Sequence, residues 1–187
     1  MDACRLHLTG ASGSGTTTLG RALASSWSVP HADADDYFWV PTSPPYTQKR
    51  ATPDRLRLME EIFVARDAWV LSGSLMGWGD LLVERFDAVV FLSVGNQTRL
   101  ERLRGREAAR YGARIEAGGD REASHREFIE WAEGYEDPAF DGRNRAQHEA
   151  WLADLPCPVL RLDSAAGVDE LLGEVVTWQK QGFRPAT

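Results

Sequence analysis

Nine residues after the first apolar run have the types and the spacing to hold a chain of phosphates: Gly10, Ala11, Ser12, Gly13, Ser14, Gly15, Thr16, Thr17 and Thr18. Glycines let a backbone wrap closely around phosphate oxygens without side-chain clashes. The inward-turned N–H groups, and a helix that begins near Thr16, then supply a field that favours an anion. Gly10 and Gly15 stand at P-loop separation, and Thr17 takes the position whose hydroxyl ligates Mg²⁺. One position departs from the pattern. Residue 16, where a lysine would reach the β- and γ-phosphates, is threonine. A cation is thereby missing where phosphoryl transfer develops charge. The chain has two lysines, Lys49 and Lys180, against nineteen arginines. The missing charge must come from Lys49 or an arginine, or turnover is weak.

A dinucleotide-binding turn is the sharper rival, because Thr9 to Gly15 looks like the opening of a short-chain dehydrogenase. The segment is one residue too short for that pattern. Such enzymes also need a Tyr-x-x-x-Lys pair, and the residues four before Lys49 and Lys180 are Pro45 and Val176.

Further candidates follow along the chain. Asp33, Asp35 and Asp36 crowd three carboxylates into four residues, a repulsion that a dication or substrate donors would relieve. The aromatic stretch Tyr37-Phe38-Trp39 and Tyr46 either line a pocket or form a small satellite core. Lys49 and Arg50 close this segment, and Lys49 is the first candidate to replace the absent lysine. Ser74 and Trp78 are second-rank pocket residues in a run of small residues after the third strand. Arg99, Arg102 and Arg106 share a helix face, with Arg104, Arg110 and Arg114 close by. That face is either a phosphate-gripping set or a solvated surface partnered by Glu101 and Glu107. Arg143 and Arg145 come next. His125 and His148 read as surface or capping residues.

These residues need elements to position them. Short apolar runs at Arg5–Leu8, Val29–His31, Trp69–Leu71, Ala88–Val94 and Pro158–Leu162 read as strands. Helices are expected over Thr17–Ser26, Pro53–Asp67, Trp78–Arg85, Thr98–Arg110, Arg121–Tyr135, Arg145–Leu155 and Val168–Lys180. Thr52 is the expected N-cap before Pro53. The stretch from Gly112 to Asp120 reads as a mobile loop. Strand–helix alternation predicts an α/β three-layer sandwich around a parallel sheet of about five strands, with the phosphate loop after the first.

The phosphate loop, the acidic pair and the arginine-rich segment together resemble the nucleoside monophosphate kinase-like P-loop kinases. That group includes adenylate, shikimate and gluconate kinases and the DNA topology modulation proteins. The resemblance implies a P-loop NTPase fold in one domain, with an acceptor-binding segment at about 33–66 and a lid-like segment at about 99–145. It implies ATP and Mg²⁺ as cofactors, with Gly10–Thr18 on the nucleotide and Thr17 and Asp33 on the metal. Asp35 would orient the acceptor or take its proton, and Arg102 and Arg106 would be the lid arginines that close on the transferring group. The adenine would pack against the loop at Leu162–Gly167. A nucleotide-binding regulatory protein with weak or no catalysis is the alternative.

At 187 residues, 43% hydrophobic and 26% charged, the chain is long enough to bury a core without disulfides. A net charge of −7 argues against nucleic acid as a partner. Cys4 and Cys157 lack metal-ligand spacing and read as buried thiols. The opening residues lack the apolar core of a signal peptide, and no run approaches a membrane span. The expectation is a cytoplasmic monomer or homodimer acting on a small phosphoryl acceptor.

Overall fold

Side chains alternate between the two faces of a strand, and this alternation decides the layers here. The structure, a computed structural model, describes residues 4–183. Strands β1 (Arg5–Gly10), β2 (His31–Asp33), β3 (Trp69–Ser72), β4 (Ala88–Ser93) and β5 (Val159–Asp163) form one parallel sheet in the order β2-β3-β1-β4-β5. The α-helices are α1 (Thr16–Trp27), α2 (Ala34–Phe38), α3 (Thr52–Met59), α4 (Asn96–Tyr111), α5 (Glu122–Glu133), α6 (Arg145–Ala153) and α7 (Val168–Lys180). Leu6, Leu8, Val70, Val90 and Leu92 turn to one face and pack on Leu19, Leu23 and Trp27 of α1 and Leu171, Val175 and Trp178 of α7. The intervening residues Trp69, Leu71, Val89 and Phe91 turn to the other face. They meet Met59 of α3, Phe63, Leu82 and Leu152 of α6. This is the expected three-layer sandwich. A separate small core joins Leu100 and Leu103 of α4 to Ile129 and Ala132 of α5.

Several local expectations need correction. β2 spans His31–Asp33 rather than Val29–His31, so Asp33 ends the strand instead of following it. Ala51, not Thr52, is the N-cap of α3, with Pro53 inside the first turn. That helix stops at Met59 and continues as a π-turn over Glu60–Val64. Asp80–Arg85 is a 3₁₀ turn instead of a full helix. The stretch read as a mobile loop holds a 3₁₀ turn at Gly112–Ile115, and Arg114 and Asp120 pair across it at 2.6 Å. Cys4 is buried, whereas Cys157 is only partly so. Among the described residues, no helix is long and apolar enough to cross a membrane.

The strands end in Gly10, Asp33, Ser72, Ser93 and Asp163. These are small or acidic residues, all at the carboxyl edge of the sheet. β1 lies between β3 and β4, and the chain leaves it toward the β2 edge before crossing to β4. Such a reversal opens a crevice above the sheet.

Candidate active site

The turn after β1 takes backbone angles at its corners that suit glycine. Gly13 (φ 89°) and Gly15 (φ 93°) hold backbone angles that side chains rarely tolerate. A methyl group at Gly13 would also lie 2.7 Å from the Arg99 carbonyl. The Ser14 N–H donates to the Ala11 carbonyl at 3.0 Å, which closes the turn before α1 begins at Thr16. No acidic side chain occupies the first turn of α1, so its N-terminal field remains available to an anion. The Ser14 hydroxyl is fully buried and has no partner among the described residues.

Thr17 and Asp33 meet at the mouth of this loop. Thr17 Oγ1 donates to Asp33 Oδ2 at 2.7 Å. The other carboxylate oxygen accepts the Asp35 N–H at 3.1 Å and caps α2. A hydroxyl beside a carboxylate is an oxygen pair of the kind Mg²⁺ accepts. The start of α1 is held from behind as well. Ser72 Oγ donates to the Thr16 carbonyl at 3.0 Å, and His31 Nε2 bonds to Ser72 Oγ at 2.9 Å. Gly20 makes this contact possible, since a methyl group there would lie 2.9 Å from His31 Nε2. Burial pulls the His31 pKa below its ordinary value, with Asp33 opposing. Sequence reasoning missed the His31–Ser72 support, whose only signal is a polar residue in each of two neighbouring strands.

Asp35 is an exposed residue whose carboxyl is nonetheless partly buried against its neighbours. That burial, with the neighbouring charge of Asp33, raises its pKa, while Arg143 and Arg106 pull the other way. The charges of Asp33, Arg143 and Arg106 therefore all act on Asp35.

The arginines divide by partner. Arg99, expected on the helix face with Arg102 and Arg106, is almost fully buried and donates to Ser12 O, Asn96 Oδ1 and Ala132 O. It fastens α4 and α5 to the loop. Arg102 donates to the Ser164 carbonyl at 2.8 Å, in the turn after β5. Arg106 pairs with Glu107 at 3.2 Å and acts on Asp35. Arg143 donates to Ser12 Oγ at 3.0 Å. Arg145 pairs with Glu136 at 2.7 Å.

Lys49 meets the aromatic segment. Its ammonium stands 5.9 Å over the Phe38 ring, where Trp39 and Lys49 form an isolated bridge. The aromatics of this segment pack on one another: Phe38 on Trp39 and Trp78, and Trp39 on Tyr46. Buried Arg55 lies 3.7 Å over Phe38. Trp78 Nε1 donates to the Ser74 carbonyl at 3.0 Å, so the two second-rank pocket residues bond to each other. The arginine-rich segment meets this loop from above. Arg110 donates to Tyr46 Oη at 3.5 Å, and Arg121 to the Pro45 carbonyl at 3.3 Å.

His148 is not a surface residue. It is fully buried, bonded to Tyr135 Oη at 2.8 Å and Thr9 Oγ1 at 3.4 Å. Burial, with help from Arg143, lowers its pKa to about 3 and keeps the ring neutral. His125 is half-buried, and its Nδ1 has no partner.

The chain is 43% identical over 173 residues to the uncharacterized protein YqaC of Bacillus subtilis (strain 168), covering 92% of this chain and 96% of that protein. No protein-family model matches it. Shikimate kinase from Acinetobacter baumannii, solved with shikimate, shares the fold at a TM-score of 0.56 and 16% identity, over 96% of this chain and 94% of that one. A sugar kinase from Janibacter sp. HTCC2649 gives 0.54 at 17%, over 95% of each chain. A gluconokinase from Sinorhizobium meliloti 1021 gives 0.51 at 19%, over 93% and 90%. At these identities the likeness establishes the fold, which is that of the P-loop kinases.

Proposed function

We infer that this chain, which belongs to the same family as YqaC of Bacillus subtilis, binds MgATP on residues 10–18 and transfers the γ-phosphoryl group to a small acceptor. The observation that carries this reading is the 2.7 Å bond between Thr17 Oγ1 and Asp33 Oδ2 at the mouth of the glycine loop. Sharing a fold with shikimate kinase, gluconokinase and a sugar kinase supports a small acceptor bearing a hydroxyl or phosphate.

The residues present fit both cofactors. Positive-φ glycines and an uncompensated helix N-terminus suit the phosphates, and Thr17 with Asp33 offers oxygen to Mg²⁺. When bound, the metal would neutralise charge on the β- and γ-oxygens. The backbone of Gly10–Thr18 holds the phosphates in register. Asp35 orients the acceptor hydroxyl and takes its proton as the acceptor oxygen bonds to the γ-phosphorus. The bond from that phosphorus to the β–γ bridging oxygen breaks, and ADP leaves with its electron pair. A raised pKa makes Asp35 a stronger base than an ordinary aspartate. Arg106 offsets charge beside it, Arg102 steadies the turn after β5, and Lys49 belongs to the acceptor-binding segment 33–66. The segment 99–145 covers the cleft and excludes water.

Thr16 favours a second reading, in which the chain binds nucleotide as a regulatory protein without efficient chemistry. Titration with MgATP, followed by ADP release against a panel of nucleoside monophosphates and small alcohols, separates the two. Acceptor-dependent ADP release is the expected result. Saturable binding without acceptor-dependent turnover supports the regulatory reading, and failure to bind any nucleoside triphosphate contradicts both.

A further inference from the structure

Position 16 carries a hydroxyl where the fold's phosphate loop ordinarily carries an ammonium. Among the described residues, the two guanidinium groups that bond to residues 10–18 both bond to Ser12. They are not equivalent. Arg99 is 1% exposed, and its Nη groups are committed to Ser12 O, Asn96 Oδ1 and Ala132 O. It holds the framework together. Among the described residues Arg143 makes one hydrogen bond, from Nη2 to Ser12 Oγ at 3.0 Å. Its Nε is buried without a partner, and its guanidinium rests 5.4 Å over the Trp131 ring. A guanidinium carries five N–H donors, and most of those on Arg143 are uncommitted.

Arg143 has no ion-pair partner among the described residues, whereas Arg145, two positions on, pairs with Glu136. The largest opposing influence is the charge of Asp35, which the reading above sets beside the acceptor. Burial drags the Arg143 pKa below the ordinary arginine value, as expected of a cation short of counter-charge. Sequestering such a group is unfavourable unless an anion joins it. Ser12 on one side and Asp35 on the other define where that anion would sit: between the loop that holds the phosphates and the carboxylate that orients the acceptor.

We propose that Arg143 supplies, from the turn before α6, the positive charge that a P-loop lysine would supply from position 16, by donating to the terminal phosphates of a nucleoside triphosphate. This rests on the phosphotransferase reading above and adds to it the source of the missing charge. The planar fork of arginine suits two phosphate oxygens at once. Because Arg143 belongs to the segment that covers the cleft, the charge reaches the phosphates from the cover and not from the loop itself.

An exchange of charges tests this. Arg143→Met should weaken MgATP binding by about 10- to 100-fold, the range for losing a charged hydrogen bond, while AMP binding stays as in the wild type. Thr16→Lys is the complementary change. Added to Arg143→Met, it should restore MgATP affinity, because the lysine returns charge to the same phosphates. Arg143→Lys, which keeps the charge, should stay closer to wild type than Arg143→Met, and it carries the comparison with Thr16→Lys should the methionine variant fail to fold. MgATP affinity unchanged in Arg143→Met overturns the proposal. So does an equal loss of ATP and AMP binding that Thr16→Lys does not repair, since that is the mark of a structural residue. A wild-type chain that binds no MgATP would instead contradict the phosphotransferase reading itself.

Discussion

Thr17 sits in the first turn of α1 and Asp33 at the end of β2, and the sheet brings them within 2.7 Å. Removing the hydroxyl with Thr17→Ala should lower MgATP affinity about 10- to 100-fold, the scale of one charged hydrogen bond or ligand. Affinity for ATP without Mg²⁺ should not change, and calorimetry with and without the metal reads both. Asp35→Asn should behave differently. It should retain MgATP binding and lose acceptor-dependent turnover by about 10²- to 10⁴-fold, the usual contribution of a general base. The pH dependence has a definite sign. Burial and Asp33 raise the Asp35 pKa, so its carboxylate is protonated at a higher pH than an ordinary aspartate as the solution is acidified. The acid limb of kcat/KM should accordingly be displaced upward from that of an ordinary aspartate. The glycines, Thr17 and Asp33 were legible in the sequence because their spacing is local. Arg143 and Ser12 are 131 residues apart, and only the folded chain joins them.

At the scale of elements, the start of α1 depends on backbone angles that few residues accept. Gly15 has φ 93°, and a methyl group there would meet no atom within 4 Å, so Gly15→Ala isolates backbone strain. It should cost about 1–2 kcal/mol and lower the melting temperature by several degrees. Gly13→Ala should cost more, since the added methyl also meets the Arg99 carbonyl at 2.7 Å. His148 links β1, α6 and the turn at Tyr135, and burial lowers its pKa from 6.5 to about 3. Between those values the unfolded chain binds the proton and the folded chain does not. Stability should fall as pH drops through that window, by up to ~1.4 kcal/mol per pH unit. His148→Gln should flatten the slope of unfolding free energy against pH measured by urea denaturation. In the sequence His148 reads as a surface residue because a lone histidine on a helical pattern carries no mark of its distant partner Thr9. The offset of β2 has a related cause: its residues His31 and Asp33 are polar, whereas the strand signal is apolar.

Across the whole molecule, the layers were legible because the buried strands alternate residues between two apolar faces. The acidic net charge of −7 conceals an uneven distribution, with ten of the nineteen arginines between residues 99 and 145. That segment touches the 45–46 loop through Arg110 and Arg121, a contact with no local sequence signal. Every role given to these residues depends on a nucleoside triphosphate occupying the loop at residues 10–18. Calorimetric titration of the full chain with MgATP tests this most directly. Saturable binding at one site, weakened when Mg²⁺ is withheld, is the predicted result; no saturable binding of any nucleoside triphosphate would contradict it.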